Sequence, residues 1–222
     1  MMKPTDKKTR RVRDIRVLIA CESSGVVREA FRALGHAAWS CDLLPTDDGS
    51  PYHLQEDCVK AVRGGSVFAV WDLIVMHPPC TAICVSGNRW YGIGMPKHAE
   101  RIEAIRWTME LWELATRFCP RVAMENPVGT LPMKATQYVQ PWQFGHGEAK
   151  KTGLWLHGLP KLQPTNILPL PGSGRWENQT PSGQNKLGPS TDRWKIRSKT
   201  YEGIASAMAS QWGKQLADQG SA

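Results

Sequence analysis

The stretch VLIACESSGVVREAF, residues 17–31, decides the fold. An apolar strand, Val17 to Cys21, runs into the small polar turn Glu22-Ser23-Ser24-Gly25. A helix then follows whose apolar positions Val26, Val27, Ala30, Phe31 and Leu34 share one face, and Gly35 suits the left-handed stop after it. The same alternation continues outward. A second strand is predicted at AAWSC, residues 37–41, then a polar loop over 42–52 and a third strand at DLIVM, residues 72–76, which ends in His77-Pro78-Pro79-Cys80. A long amphipathic pattern from Pro96 to Phe118, with Ile102, Ile105, Met109, Trp112 and Leu114 inward, leads to a strand RVAM at 121–124 that ends in Glu125-Asn126-Pro127. Another strand is expected at Leu154 to Leu156. Alternating strands and helices imply an α/β domain over 15–156 with a mostly parallel, doubly wound sheet, in which ligands collect at the carboxyl ends of the strands. Residues 157–197, rich in Pro, Gly, Asn and Trp, read as a long irregular excursion. A last helix is expected near 202–217, with Ile204, Ala207, Met208, Trp212 and Leu216 at helical spacing.

A chain of 222 residues with 41 % hydrophobic and 22 % charged residues suits one such domain and excludes a disordered polymer or a membrane protein. No apolar run approaches the roughly 20 residues of a spanning helix, and the basic N-terminus is not followed by the apolar region of a signal peptide, so a cytoplasmic protein is expected. The six cysteines show no paired spacing and read as thiols. Grouping His77, Cys80 and Cys84 around zinc lacks a second ligand pair, and no metal is predicted. The net charge of +8 is concentrated at two places. Residues 3–16 carry seven Lys or Arg against two Asp, and residues 175–199 carry six against two acids. Residues 1–14 read as a flexible basic arm. Basic segments around a nearly neutral body suggest contact with phosphates; a solvated tail and a polar loop are the plainer alternative.

Three places carry chemistry. The turn Glu22-Ser23-Ser24-Gly25 sets small residues against a helix N-terminus, where backbone N–H groups can receive a ligand. Asp42 follows about 20 residues later, where a carboxylate can accept hydrogen bonds from the hydroxyls of a ribose; the two together suggest a nucleoside cofactor, against the alternative of a tight turn and a loop carboxylate. Cys80, stiffened by two prolines at the mouth of a strand, has the setting of an exposed nucleophile, and Glu125 leaves a neighbouring strand in the same manner. A thiol and an acid at adjacent strand ends suit attack and protonation.

Over residues 15–156, and again near 200–217, the chain resembles the cytosine-5 methyltransferases. The likeness rests on Pro79-Cys80 with Ser86-Gly87, similar to that family's nucleophile loop, and on Glu125-Asn126, similar to its acid motif. The resemblance implies a Rossmann-like methyltransferase fold and S-adenosylmethionine as cofactor. It also implies transfer of a methyl group to C5 of cytosine in DNA through a covalent Cys80 adduct at C6, with Glu125 as the catalytic acid. It places Glu22, Ser23, Gly25, Asp42, Asp57 and Pro79 about the cofactor, and Asn126 with the substrate. Thr81 stands where the family has Gln, and GHGEAKKTGLWL at 145–156 replaces its paired arginines, leaving Lys150 or Lys151 to supply a cation to the pyrimidine. Residues 157–199 then become a reduced target-recognition segment, as in phage or prophage members. Arg193 and Lys195 would hold phosphates there, and Trp176 or Trp194 would stack on a base, while residues 200–222 return to the catalytic domain. RNA or a free cytosine nucleotide as substrate, or a non-catalytic module that binds nucleic acid or a partner methyltransferase, are the alternatives. A partner subunit supplying sequence recognition is also compatible with the short segment.

Overall fold

The computed structural model describes residues 14–64, 67–183, 185–188 and 190–219; apart from Asp14, the basic arm lies outside the described residues. In chain order the regular elements begin β1 (Arg16–Ala20), α1 (Val26–Ala33), β2 (Ala37–Asp42), β3 (His53–Gln55), α2 (Cys58–Val62), β4 (Leu73–Met76), α3 (Asn88–Tyr91) and α4 (His98–Phe118). They continue β5 (Val122–Pro127), β6 (Gln137–Val139), β7 (Thr152–His157), α5 (Arg193–Ser198), α6 (Glu202–Met208) and α7 (Lys214–Gln219). One seven-stranded sheet has the order β3-β2-β1-β4-β5-β7-β6. The pairs from β3 through β5 are parallel, and β7 runs antiparallel to both β5 and β6. This is the Rossmann-like α/β fold expected from the sequence, and the order reverses between β1 and β4, where such sheets open a crevice.

The central strands are apolar throughout because both faces are covered. Val17 and Ile19 of β1 and Leu73 and Val75 of β4 face a layer made by Val27 and Phe31 of α1 with Ile204, Met208 and Trp212. Their alternates Leu18, Ala20, Ile74 and Met76 face α2 and the Leu111 and Ala115 side of α4. The chain's last segment therefore closes one face of the sheet.

Three expectations are corrected. The strand ending in Glu125-Asn126-Pro127 contains these residues, because antiparallel pairing sets Glu125 opposite Leu154, Asn126 opposite Gly153 and Pro127 opposite Thr152. Helix α4 buries Arg101, Thr108, Leu111 and Ala115, while Ile102 is 55 % exposed. Two polar residues occupy the inner stripe there, so apolar periodicity sets the face one position off. The last helix is interrupted by a π-helical turn over Ala209–Gly213, where Trp212 is buried and a Cβ on Gly213 would lie 2.5 Å from His36 Nε2. The widened turn lets the backbone approach α1 closely.

Candidate active site

Glu125 lies on a paired strand, and the parallel register Ile74↔Val122, Val75↔Ala123, Met76↔Met124 carries His77 to its side. His77 Nδ1 is 3.1 Å from Glu125 Oε2, with both side chains largely buried. Burial alone would raise the Glu125 carboxyl. The His77 hydrogen bond, the Lys150 charge and a hydrogen bond from Thr152 outweigh it and hold the group below the usual carboxylate range.

The nucleophile loop is fastened to the acid strand at three levels. Asn126 Nδ2 donates to Pro78 O at 3.0 Å, so this buried amide, expected at the substrate, spans the two motifs. Further along, Val85 N donates to Val128 O at 3.1 Å and Thr130 N to Ile83 O at 3.0 Å. Gly129 permits that approach, since a Cβ there would lie 2.7 Å from Ile83 O. From the other side the buried Arg101 guanidinium donates to Ala82 O at 2.6 Å, Asn88 Oδ1 at 2.8 Å and Cys84 O at 3.2 Å. Cys80 itself is half-buried after the exposed Pro79. Burial, then the nearby Cys84 and Glu125, push its thiol up to about 11, with Lys150 pulling the other way.

Of the two candidate lysines, Lys150 is the one whose charge reaches both Cys80 and Glu125. Its Nζ donates to Arg197 O at 2.8 Å, near the C-terminal end of α5. Lys151 is exposed and lies over the Tyr138 ring at 4.6 Å. The β7 strand, antiparallel to β5, delivers Lys150 just before its first residue.

At the end of β1, Cys21 takes a left-handed φ of 60°, unusual outside glycine, and opens the turn. Glu22 is buried and accepts from Val27 N at 2.8 Å and Arg28 N at 3.2 Å. The α1 amides expected to receive a ligand are therefore held by the chain's own carboxylate. Gly25 makes room for Arg28: a Cβ would collide with its guanidinium, which is fully buried and bonds Ser40, Glu29 and Asp48. The Ser23 carbonyl accepts from Asp47 N at 2.9 Å and ties the turn to the loop after β2. Asp42 remains the best acceptor for a ribose. Burial raises its carboxyl, and one oxygen, Oδ1, accepts from Leu44 N at 2.9 Å. Asp57 caps α2 through Val59 N at 2.8 Å. A hollow beside Asp42 is lined by Ser23, Leu44, Pro45, Thr46, Asp47, Trp194 and Lys195. The residues that could hold a nucleoside at this rim are Asp42 and those lining the hollow, while Glu22 and Gly25 shape the turn.

The recognition residues are more engaged than the sequence suggests. Lys195 pairs with Asp47 at 2.7 Å, and Arg193 Nη1 donates to Gly188 O at 3.0 Å. Trp176 is buried and stacks on Trp142 with centroids 5.9 Å apart, so it offers no face to a base, whereas Trp194 is 54 % exposed. All six cysteines are free, and among the described residues no three His, Cys, Asp or Glu gather as metal ligands. No described helix is long and apolar enough to cross a membrane. Sequence reading missed His77 as a partner of Glu125 and Arg101 as the clamp on the loop. The first was readable from the matching offset of both residues after the apolar cores of β4 and β5; nothing in the pattern of α4 marks Arg101 as buried.

Fold and site together define a Rossmann-like α/β protein with a thiol, a carboxylate and a cation gathered at the carboxyl rim of the sheet. No protein-family model and no curated protein matches the chain. Among solved structures it is similar to the Schizosaccharomyces pombe Dnmt2 methyltransferase, at 15 % identity and a TM-score of 0.44, over 67 % of this chain and 51 % of that one. It is also similar to the Entamoeba histolytica methyltransferase EhMeth, at 10 % identity and a TM-score of 0.43, over 70 % of this chain and 58 % of that one. The chain thus spans little more than half the length of these structures.

Proposed function

We propose that the protein transfers a methyl group from S-adenosylmethionine to C5 of cytosine in DNA. The observation that supports this reading most is the fastening of the Cys80 loop to the strand that carries Glu125, with Glu125 and Lys150 both acting on the thiol. Cytosine carbon is a poor nucleophile. Addition of Cys80 Sγ to C6 pushes electron density onto C5, and a proton at N3 stabilises the adduct. Burial and the Glu125 charge oppose the thiolate, and Glu125 is held ionised at rest. The rim therefore accommodates one negative charge more easily than two. As Glu125 takes up a proton from solvent and shares it with N3, its charge disappears from beside Cys80, and the thiol gives up its own proton to solvent more easily. Glu125 also accepts from the exocyclic amine, which selects cytosine over thymine. Bound at the β1 to α1 turn and Asp42, S-adenosylmethionine supplies an electrophilic methyl group. Once the methyl is on C5, with S-adenosylhomocysteine as the leaving group, loss of the C5 proton to solvent lets the Sγ–C6 bond break, N3 gives its proton back through Glu125, and the departing thiolate is reprotonated. A cytosine in duplex DNA would have to leave the stack to reach this rim, at a cost of a few kcal/mol.

The test is incubation with labelled S-adenosylmethionine and duplex DNA, RNA or dCMP, followed by trapping on 5-fluorocytosine DNA. Label in DNA and a covalent adduct at Cys80, both lost in Cys80→Ser, are expected. Label only in RNA or dCMP would move the substrate, and an adduct that persists in Cys80→Ser or maps to Cys84 would sink the assignment.

A further inference from the structure

We propose that His77 is the positioning residue of this site, donating from Nδ1 to Glu125 Oε2 so that the other carboxylate oxygen is held toward the cytosine. This rests on the reading of Cys80 and Glu125 given above. Three observations carry it. The β4 and β5 register makes His77 and Glu125 neighbours at the rim, and the 3.1 Å bond joins them. The imidazole makes no other hydrogen bond among the described residues: its Nε2 is buried and unpartnered, so whatever the ring does in the site passes through Glu125. Finally, a carboxylate buried on a strand has a rigid backbone but a rotatable side chain, and the fixed imidazole donor on Oε2, beside the Thr152 hydroxyl, decides which way the carboxylate faces the substrate.

Because the His77 bond fills one acceptor position on Oε2 and fixes the plane of the carboxylate, the ring sets the direction in which the other oxygen meets the cytosine amine. The other groups that act on Glu125 are Lys150, approaching from the start of β7, and Thr152 on β7 itself; Glu125 in turn acts on Cys80. Removing the imidazole leaves burial less opposed, so the carboxyl should titrate at higher pH than in the wild type.

The full chain carrying His77→Asn or His77→Gln tests the proposal. An Asn amide stands where Nδ1 stands and preserves the donor to Oε2, whereas a Gln amide stands nearer Nε2 and does not. Both are polar and of similar bulk, so a general effect on folding, read from the unfolding midpoint, would touch them alike. Methyl transfer and 5-fluorocytosine trapping are measured from about pH 5 to 10. The Glu125 carboxyl is titrated by carbon NMR and assigned by its absence in Glu125→Gln. We expect His77→Gln to lose turnover by about 100-fold with the KM for DNA nearly unchanged, as a misplacement near 1 Å does. Its Glu125 titration should move upward. His77→Asn should recover most of the rate and a titration close to the wild type. Equal loss in both variants, or wild-type turnover in His77→Gln, would overturn the role. If the wild type transfers no methyl group to any substrate, the proposed function falls. His77 is then judged by titration alone: an unmoved Glu125 in His77→Gln rejects it, and an upward shift retained only in Gln supports it.

Discussion

Cys80 has a thiol in a place that disfavours its charged form. Burial, Cys84 and Glu125 push it up to about 11, so at neutral pH nearly all of it is protonated. A raised thiol is present as the reactive thiolate only in small fraction below its own titration. Alkylation of Cys80 by iodoacetamide should therefore quicken about tenfold for each pH unit up to about 11. Glu125→Gln removes one of the charges that raise it, so alkylation of Cys80 at pH 8 should become faster, by up to about tenfold, while methyl transfer is lost. Peptide mass spectrometry of the alkylated loop measures the first and labelled cofactor the second. A slower thiol in Glu125→Gln would show that the carboxylate activates Cys80 directly as a base, contrary to the coupling proposed here.

At the scale of elements, the site depends on how a loop is held against strands. The Arg101 guanidinium, buried on α4, has neutral oxygens as its three partners, all of them on residues 82–88. Replacing it by Met leaves three part-buried or exposed acceptors without this donor, at a cost of about 1 to 3 kcal/mol. Hydrogen exchange should then quicken over residues 82–88 and trapping on 5-fluorocytosine should slow, while exchange in β1 and β4 follows only the global loss. Equal protection of the loop in both proteins would remove Arg101 from this role. The elements also show what the sequence made legible. The strands β1, β2 and β4, and β5 up to Met124, are read correctly because each is an apolar run bounded by turn residues, and Cys80 and Glu125 are visible because chemistry follows such runs. The three-residue strands β3 and β6 and the short α2 are too brief to carry a period. Glu22 shows the limit of such reading: a carboxylate before a helix reads equally as a ligand group or as a cap, and the distances to Val27 N and Arg28 N show that it caps α1. Lys195 read as free because its partner, Asp47, lies about 150 residues away in sequence.

For the whole molecule, the final segment is part of the core. Trp212 is fully buried, donates from Nε1 to Pro160 O at 3.1 Å and packs in the layer shared with β1 and α1. Trp212→Ala should destabilise the fold by about 3 to 5 kcal/mol, read as a lower denaturant midpoint. Since this layer lies on the face away from α4, the loss should appear equally in Cys80→Ser, and the two changes should add. A variant as stable as the wild type would mean that residues 202–219 dock without supporting the sheet.

The reversed strand β7 has a consequence for how such a site can change. Parallel strands bring their last residues to the rim, and an antiparallel one brings its first, so Lys150, two residues before the ladder between β5 and β7, is held near the rim by the pairing of Thr152 with Pro127 and by its own N–H donating to Gln140 Oε1. Residues added to the β6 to β7 connection would bulge outward while Thr152 stays opposite Pro127. The backbone of the cation is thus anchored two residues from the ladder, while its Nζ also depends on the Arg197 carbonyl. A slip of the ladder by one residue would instead turn every β7 side chain to the opposite face, Thr152 beside Glu125 among them, an all-or-none change with no graded intermediate.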